Sequence, residues 1–231
     1  LKLNLNYSEE QIMLREQIQK FCESEYDFYK REDIVKSSED FDSNVWKLFA
    51  EQGWLSMAFS EDSGGLGFGA IELSILFEEF GKSLVIEPYL ATVVLSGSLL
   101  DKSSYPHKNE LIEQICSGDM HISFAYAEAS NSYDYLSVNT SLDSKNVLNG
   151  TKTLVLNGGN ANKIISTCTD GNELKIVIFD TNTNGVSINS FSTVDGQSCA
   201  EISFENVQLD DKNIIASGEE AIELVNKTIN L

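Results

Sequence analysis

Three observations predict an α+β chain. Apolar residues recur every three to four positions up to about residue 118, alternate every second position from about 120 to 216, and return to the helical period after Ser217. The predicted architecture is an N-terminal all-α domain over 1–118 followed by an antiparallel β-barrel or sandwich domain over 119–216. Residues 217–231 then read as the start of a C-terminal helical bundle that is otherwise missing. The length of 231 residues and the 42% hydrophobic content support one large core or two modest ones and argue against disorder.

The first helix is announced by Ser8-x-x-Gln11, a capping-box pattern in which serine and glutamine satisfy each other's orphan backbone donors. Leu14, Ile18, Phe21 and Cys22 then share one face. Asp42 or Ser43 can cap a second helix carrying Val45, Leu48 and Phe49, with Gly53 suited to its end. A third helix starts near Ala70, turns Leu73, Leu76, Phe77 and Phe80 inward, and is expected to stop at Gly81. Pro88 fits the first turn of a fourth helix with Ala91, Val94, Leu95 and Leu99. Leu111, Ile112, Ile115 and Cys116 mark a fifth, ended by Gly118.

In the back half, Ile122, Phe124 and Tyr126 alternate, and so do Ala200, Ile202 and Phe204. Asn149-Gly150 between two apolar runs predicts a hairpin turn, because both residues tolerate positive φ. Asp170-Gly171-Asn172 and Asn184-Gly185 predict two further turns. Ala221, Leu224 and Val225 share one face of the last helix.

The formal net charge of −20 is spread over both halves, with no Lys/Arg stripe. Nucleic acid and anionic membrane surfaces are therefore poor partners. An anionic ligand must be held by local donors rather than by the overall field. Cys22, Cys116, Cys168 and Cys199 form no CxxC or ligand-like spacing and read as reduced thiols. With only His107 and His121, a histidine-based metal site or a Ser-His-Asp triad is not supported, and no metal is expected. No signal-peptide pattern is visible. The most apolar stretch, 84–100, is broken by Glu87 and Pro88, so no membrane insertion is expected. The inferred compartment is the reducing cytoplasm. The cluster Gly64-Gly65-Leu66-Gly67-Phe68-Gly69 is neither a dinucleotide fingerprint nor a Walker loop and reads as a tight connection. No acidic pair marks a catalytic site, so the residues alone leave the function unread.

The order of segments is more informative. WLSMAFSEDSGGLGFGAIELSILFEEFGKSL (54–84) resembles the acyl-CoA dehydrogenase helical domain, where a Gly-Gly-x-Gly turn precedes an acidic helix. FAYAEASNSYD (124–134) resembles the family's first β-domain strand and flavin loop. VLNGTKTLVLNGGNAN (147–162) resembles its Asn-Gly-x-Lys segment and the Asn-Gly turn that follows. GVSINSFSTVDGQSCAEISFENVQL (185–209) resembles its closing strands. Each motif is weak alone, but four in the right order are specific. Ala-Tyr-Ala-Glu and Thr193-Val194-Asp195-Gly196 are most similar to the branch of the pimeloyl-CoA dehydrogenase small subunit.

The resemblance implies FAD-dependent oxidation of an acyl-CoA thioester between its α and β carbons, with electrons passing to an acceptor such as an electron-transfer flavoprotein. It implies that the flavin ring lies beside Phe124, Ala125, Tyr126 and Ala127 on one segment and Leu154, Val155 and Leu156 on another. Ser130 and Ser132 are the hydroxyls nearest to ribityl or phosphate oxygens, and Tyr133 stands where the family contacts substrate. A homo- or hetero-oligomer is implied as well. The family's usual catalytic glutamate lies in the C-terminal bundle, so the catalytic residue is unknown within these 231 residues. Three departures bear on the cofactor. Ala127, Leu154 and Leu156 stand where many members carry hydroxyl or Trp side chains, a loss of about 1 kcal/mol for each missing hydrogen bond. These departures keep open a non-catalytic partner subunit of a heteromeric dehydrogenase that holds no flavin of its own. An acyl-CoA oxidase-like enzyme is a third alternative.

Overall fold

The structure, a computed structural model describing residues 6–37, 40–131 and 134–230, opens where the capping box dictates. Ser8 Oγ accepts from the Gln11 N–H at 3.2 Å, and Gln11 Oε1 accepts from the Ser8 N–H at 2.9 Å. Helix α1 (Glu9–Glu25) follows and buries Ile18, Phe21 and Cys22. Helix α2 (Phe28–Lys36) is not announced by apolar spacing, because it buries only Ile34. Its start is set instead by Asp27, whose carboxylate accepts from the Lys30 N–H at 2.8 Å. Asp42 caps α3 (Ser43–Glu51), which buries Val45, Trp46 and Phe49 and ends at Gly53 with φ 75°.

Helix α4 (Ala70–Ser83) corrects the expected stop at Gly81. The helix passes through that glycine, and Leu84 takes the left-handed position at φ 55°. The last turn is held by Lys82, which pairs with Glu78 and Glu79, and by the Leu84 and Val85 N–H groups, which donate to the Gly81 and Phe80 carbonyls. Before α4 the glycine cluster folds back on the 54–60 turn. A Cβ at Gly65 would lie 2.2 Å from the Phe59 carbonyl oxygen, so only glycine permits this approach. After Pro88 a π-helical segment, Leu90–Gly97, continues as α5 (Ser98–Lys102), and α6 (Lys108–Cys116) closes the front half.

Eight strands follow: β1 (Ile122–Ala125), β2 (Ser141–Leu142), β3 (Val147–Leu156), β4 (Lys163–Thr169), β5 (Leu174–Asp180), β6 (Val186–Ser192), β7 (Ser198–Gln208) and β8 (Ile214–Ser217). They form one sheet in the order β6-β7-β3-β2-β4-β5-β8, with β1 beside β4. The sheet is mixed rather than wholly antiparallel: β1 and β2 run parallel to β4, and the other pairs are antiparallel. The long connection between β1 and β4 lets the chain return in the same direction. Among the described residues the sheet is interrupted between β1 and β8 only by a single 3-10 turn, Asp211–Asn213. Helix α7 (Gly218–Ile229) ends the described chain and buries Ala221, Leu224 and Val225.

Asn149-Gly150 is not a turn, which corrects the expected hairpin. β3 runs straight through it, and the turn lies earlier, where the Asn146 N–H donates to Asp143 O and Asn146 has φ 59°. Gly150 is needed for contact rather than reversal, since a Cβ there would lie 2.6 Å from Thr140 Oγ1. The ladder with β7 slips one register at this point, a bulge. Asp170-Gly171 and Asn184-Gly185 do make turns, with Gly171 and Gly185 both at φ 92°.

Alternation along the strands sorts residues between two cores. Ile122, Phe124, Ile165, Ile176 and Ile178 face the helices and join Trp54, Phe49 and Leu224. Ala125, Ile164, Val177, Phe179, Ile202 and Phe204 face inward, where Phe179 and Phe204 meet edge to face at 5.5 Å. Those two rings come from β5 and β7, which are not neighbours in the sheet, so the sheet curls around the inner core. β1 is buried at all four positions because it has a core on each side.

Candidate functional site

The two segments expected to flank a cofactor are brought together. The Thr153 N–H donates to the Ala127 carbonyl at 2.9 Å, so the chain leaving β1 lies along β3. Phe124 faces the helical core and Ala125 the inner core. Tyr126 and Ala127 are half-buried. On β3, Val155 is buried, whereas Leu154 is 61% exposed at φ 51°. A left-handed backbone at a bulky residue costs about 1–3 kcal/mol and gathers at functional sites. Leu154 sits where the pairing with β7 slips between Lys152 and Val155, so it stands out of the ladder.

Leu156 is half-buried and lines a small cavity with Pro88, Leu90, Ala91 and Asn157. This cavity holds ~10 Å³, so the residues offer a face rather than an enclosed pocket. Asn157 is 4% exposed, and its Oδ1 accepts from Asn160 at 3.1 Å. Its Nδ2 has no partner among the described residues, and an orphaned donor this deeply buried awaits an acceptor. Ser130 accepts from Asn139 Nδ2 at 2.7 Å and donates to Asn131 Oδ1 at 2.9 Å, so its hydroxyl is already engaged. Ser132 and Tyr133 lie outside the described residues.

Beneath this face lies a buried ion pair. Lys152 is 0% exposed and donates to Glu128 Oε1 at 2.8 Å and to Thr167 Oγ1 at 2.9 Å. The same Glu128 oxygen accepts from the Thr140 N–H at 3.0 Å and Thr140 Oγ1 at 2.7 Å. Glu128 Oε2 accepts from the Asn139 N–H at 2.9 Å. Burial alone would raise the Glu128 carboxyl, but Lys152 and Thr140 outweigh it and hold the group at about 2. The expected site residues do not include this pair. The signal was present nonetheless, because Glu128 closes Ala-Tyr-Ala-Glu and Lys152 is the lysine of Asn-Gly-x-Lys. Lys152 also interrupts the inward face of β3, where an apolar residue belongs.

One other charged group borders the small cavity beside Leu156: Asp40, whose Oδ2 accepts from Asn160 Nδ2 at 2.8 Å and Ser198 Oγ at 2.7 Å. Arg31 is spent on backbone, donating to Leu84 O and Asp195 O at 2.8 Å each. Arg15 pairs with Glu78 and Glu79. His121 lies between the rings of Phe41 and Trp46, 4.9 Å from each, and burial pushes it down to about 4, so it is neutral. A larger cavity, ~600 Å³, lies elsewhere, between α1, the 52–57 turn and the glycine cluster, with Met13, Trp54, Met57, Leu66 and Phe68 on its walls. It contains none of the expected site residues. Among the described residues there is no cluster able to hold a metal ion, and no helix is long and apolar enough to cross a membrane.

Residues 8–119 match the family profile "Acyl-CoA dehydrogenase, N-terminal domain". That segment, just under half of the chain, is similar to the acyl-CoA dehydrogenase N-terminal domain. A probable acyl-CoA dehydrogenase of Bacillus subtilis, YngJ, is 27% identical over 92% of this chain and 60% of its own length. The fold of the ChsE4–ChsE5 complex from Mycobacterium tuberculosis covers 96% of this chain and 61% of that one, with a TM-score of 0.85 at 20% identity. A glutaryl-CoA dehydrogenase from Mycobacterium smegmatis in complex with FADH2 covers 96% of this chain and 60% of that one, with a TM-score of 0.84 at 19% identity. The chain spans about 60% of the length of the curated relatives it matches.

Proposed function

We propose that this chain supplies the helical domain (1–118) and the β domain (119–216) of a cytoplasmic, FAD-dependent acyl-CoA dehydrogenase. The observation that carries the reading is the meeting of the 124–128 and 152–156 segments through the Thr153–Ala127 hydrogen bond. Leu154 exposes its apolar side chain there, Leu156 lines a small cavity, and the buried Asn157 Nδ2 beside it has no partner among the described residues. That donor set suits a flat ring with apolar faces and a polar rim. FAD, when bound, supplies the two-electron acceptor for α,β-desaturation of the acyl-CoA. Backbone groups at 125–128 and 154–156 orient its polar edge, since Ala127, Leu154 and Leu156 have no polar side-chain atoms. Leu90, Leu154 and Leu156 exclude water from the ring. The resemblance assigns Ser130 and Ser132 to the ribityl or phosphate oxygens and Tyr133 to the acyl-CoA, and Ser130 would have to exchange its bond to Asn131 Oδ1 to serve. Both Glu128 oxygens are committed to Lys152, Thr140 and Asn139, which leaves the carboxylate a poor proton acceptor, and Glu87 packs against Tyr26 and Asp42, so neither is assigned as the base that takes the α proton. Electrons leave to an acceptor such as an electron-transfer flavoprotein, within a homo- or hetero-oligomer.

FAD titration followed by fluorescence quenching tests the reading. The full chain binds FAD, and Ala127→Thr tightens binding ~10-fold if the added hydroxyl contributes about 1.4 kcal/mol. A second reading, a partner subunit without its own flavin, is favoured by the three apolar departures at Ala127, Leu154 and Leu156. It also has a precedent for pairing in the structurally similar ChsE4–ChsE5 complex, which joins two named chains. A colourless protein that binds no FAD at high micromolar concentration, and gains flavin only with a co-expressed second chain, would replace the first reading with the second.

A further inference from the structure

A buried ion pair is an expensive way to fill space, because the desolvation of two charges offsets much of their attraction. The Glu128–Lys152 pair therefore calls for a reason beyond stability, and its connections point to one. Glu128 is the last residue of the segment that leaves β1. Its two oxygens receive Lys152 Nζ, both donors of Thr140, the Asn139 N–H at 2.9 Å and Asn131 Nδ2 at 3.3 Å. One side chain thus ties both ends of the 128–140 loop to the middle of β3. Lys152 stands two residues before Leu154, the strained position at φ 51°, and its other bond anchors it to Thr167 on β4. Between Lys152 and Val155 the β3–β7 ladder slips, so sheet pairing alone does not hold the backbone at 153–154. The Thr153 N–H is held instead on the side of β1, by the Ala127 carbonyl, and this bond joins residues adjacent in sequence to the two partners of the ion pair.

We propose that Glu128 and Lys152 are a positioning pair. They clamp the 124–128 and 152–156 segments at the separation and bulge geometry that the flavin ring edge needs. Neither side chain touches the cofactor, and both act through the backbone of Ala127 and Leu154. The inference rests on the flavin-site reading above. It follows that the pair controls how tightly the site binds a planar ring, beyond what it contributes to folding.

The test uses the full chain, wild type and three variants: Glu128→Gln, Lys152→Met and the double variant Glu128→Gln/Lys152→Met. The double variant leaves no unpaired buried charge and keeps the experiment readable if Lys152→Met fails to fold. Two readouts are taken well below the unfolding temperature. Backbone hydrogen exchange without flavin is expected to rise at least tenfold at 126–140 and 153–156 in the variants, and to stay within twofold in α1 to α5. The FAD dissociation constant is expected to rise at least tenfold in the same variants. Unchanged exchange in those two segments, or a uniform rise across the chain, would overturn the clamp. So would wild-type FAD affinity in a double variant whose segments exchange faster. If exchange rises locally but the wild type itself binds no FAD, the clamp stands as a device of this face and the flavin reading fails instead.

Discussion

Two glutamates have similarly small exposed areas in the two regions of this molecule, Glu87 at 6% in the helical front and Glu128 at 8% on the sheet, with Glu87 packed the deeper of the two. Their ionisation is opposite. Glu128 receives a lysine, a hydroxyl and two backbone N–H groups, and is held at about 2. Glu87 makes no ion pair among the described residues, the Asp42 N–H reaches it only at 3.5 Å, and its Oε2 has no hydrogen-bond partner there. Burial pushes it up to about 7, although the nearby Tyr26 hydroxyl works against the shift. The lesson is that burial sets the size of the desolvation penalty, while the local donors decide which charge state survives it. The sheet converts a buried acid into a permanent anion that organises a loop. The helical front leaves one close to neutrality.

The sharpest way to break the contrast is to take away the sheet's cation. Lys152→Met leaves Glu128 as an uncompensated buried charge and is expected to cost about 3–5 kcal/mol, read from urea unfolding at pH 7. The double variant Glu128→Gln/Lys152→Met is expected to recover most of that loss. If the single variant costs less than about 1 kcal/mol, Glu128 is more solvated than its surroundings here indicate.

The next effect is pH dependence, and the two acids act in opposite directions. The folded-state value of Glu87 is raised, so its contribution to stability is fully present below about 4.5 and is lost as pH rises through about 7. Over that range the loss is about 3 kcal/mol. Glu87→Gln is expected to flatten this limb and to make the protein more stable than wild type at pH 8. The folded-state value of Glu128 is lowered, so its contribution is present above about 4.5 and is lost as pH falls toward about 2. Unfolding free energies measured from pH 3 to pH 9 check both limbs. A wild-type curve that stays flat from pH 5 to pH 8 would mean that Glu87 finds a donor in solution.

The smallest effect is a control on exposed charge. Lys36 and Glu32 pair at 2.8 Å on α2 with side chains 66% and 42% exposed. Lys36→Ala is expected to change stability by less than about 0.5 kcal/mol in the same urea assay. A larger loss would show that ion pairs on this strongly acidic surface matter more than those on ordinary proteins, and would weaken the contrast between buried and exposed charge.

The sequence by itself determined the elements whose signals are local. Ser8 and Gln11, Asp42, Gly53, Gly118, Asp170-Gly171 and Asn184-Gly185 each act within a few residues, so their caps and turns read correctly. The order of the four family-like segments was legible for the same reason. Helix α2 was not, because it buries one residue and carries no apolar period. Asn149-Gly150 was misread because its glycine serves a contact with Thr140, ten residues back in the chain, rather than a turn.

Only the tertiary structure decided the parallel placement of β1 against β4, the burial of β1 on both faces and the meeting of Ala127 with Thr153. It also decided the fate of the buried acids. A Glu at 87 and a Glu at 128 look alike in a string of letters. What separates them is whether folding brings a lysine from 24 residues further along the chain to within 2.8 Å. Electrostatic energies depend on distance in space and on the solvent removed, and neither quantity is written in local sequence.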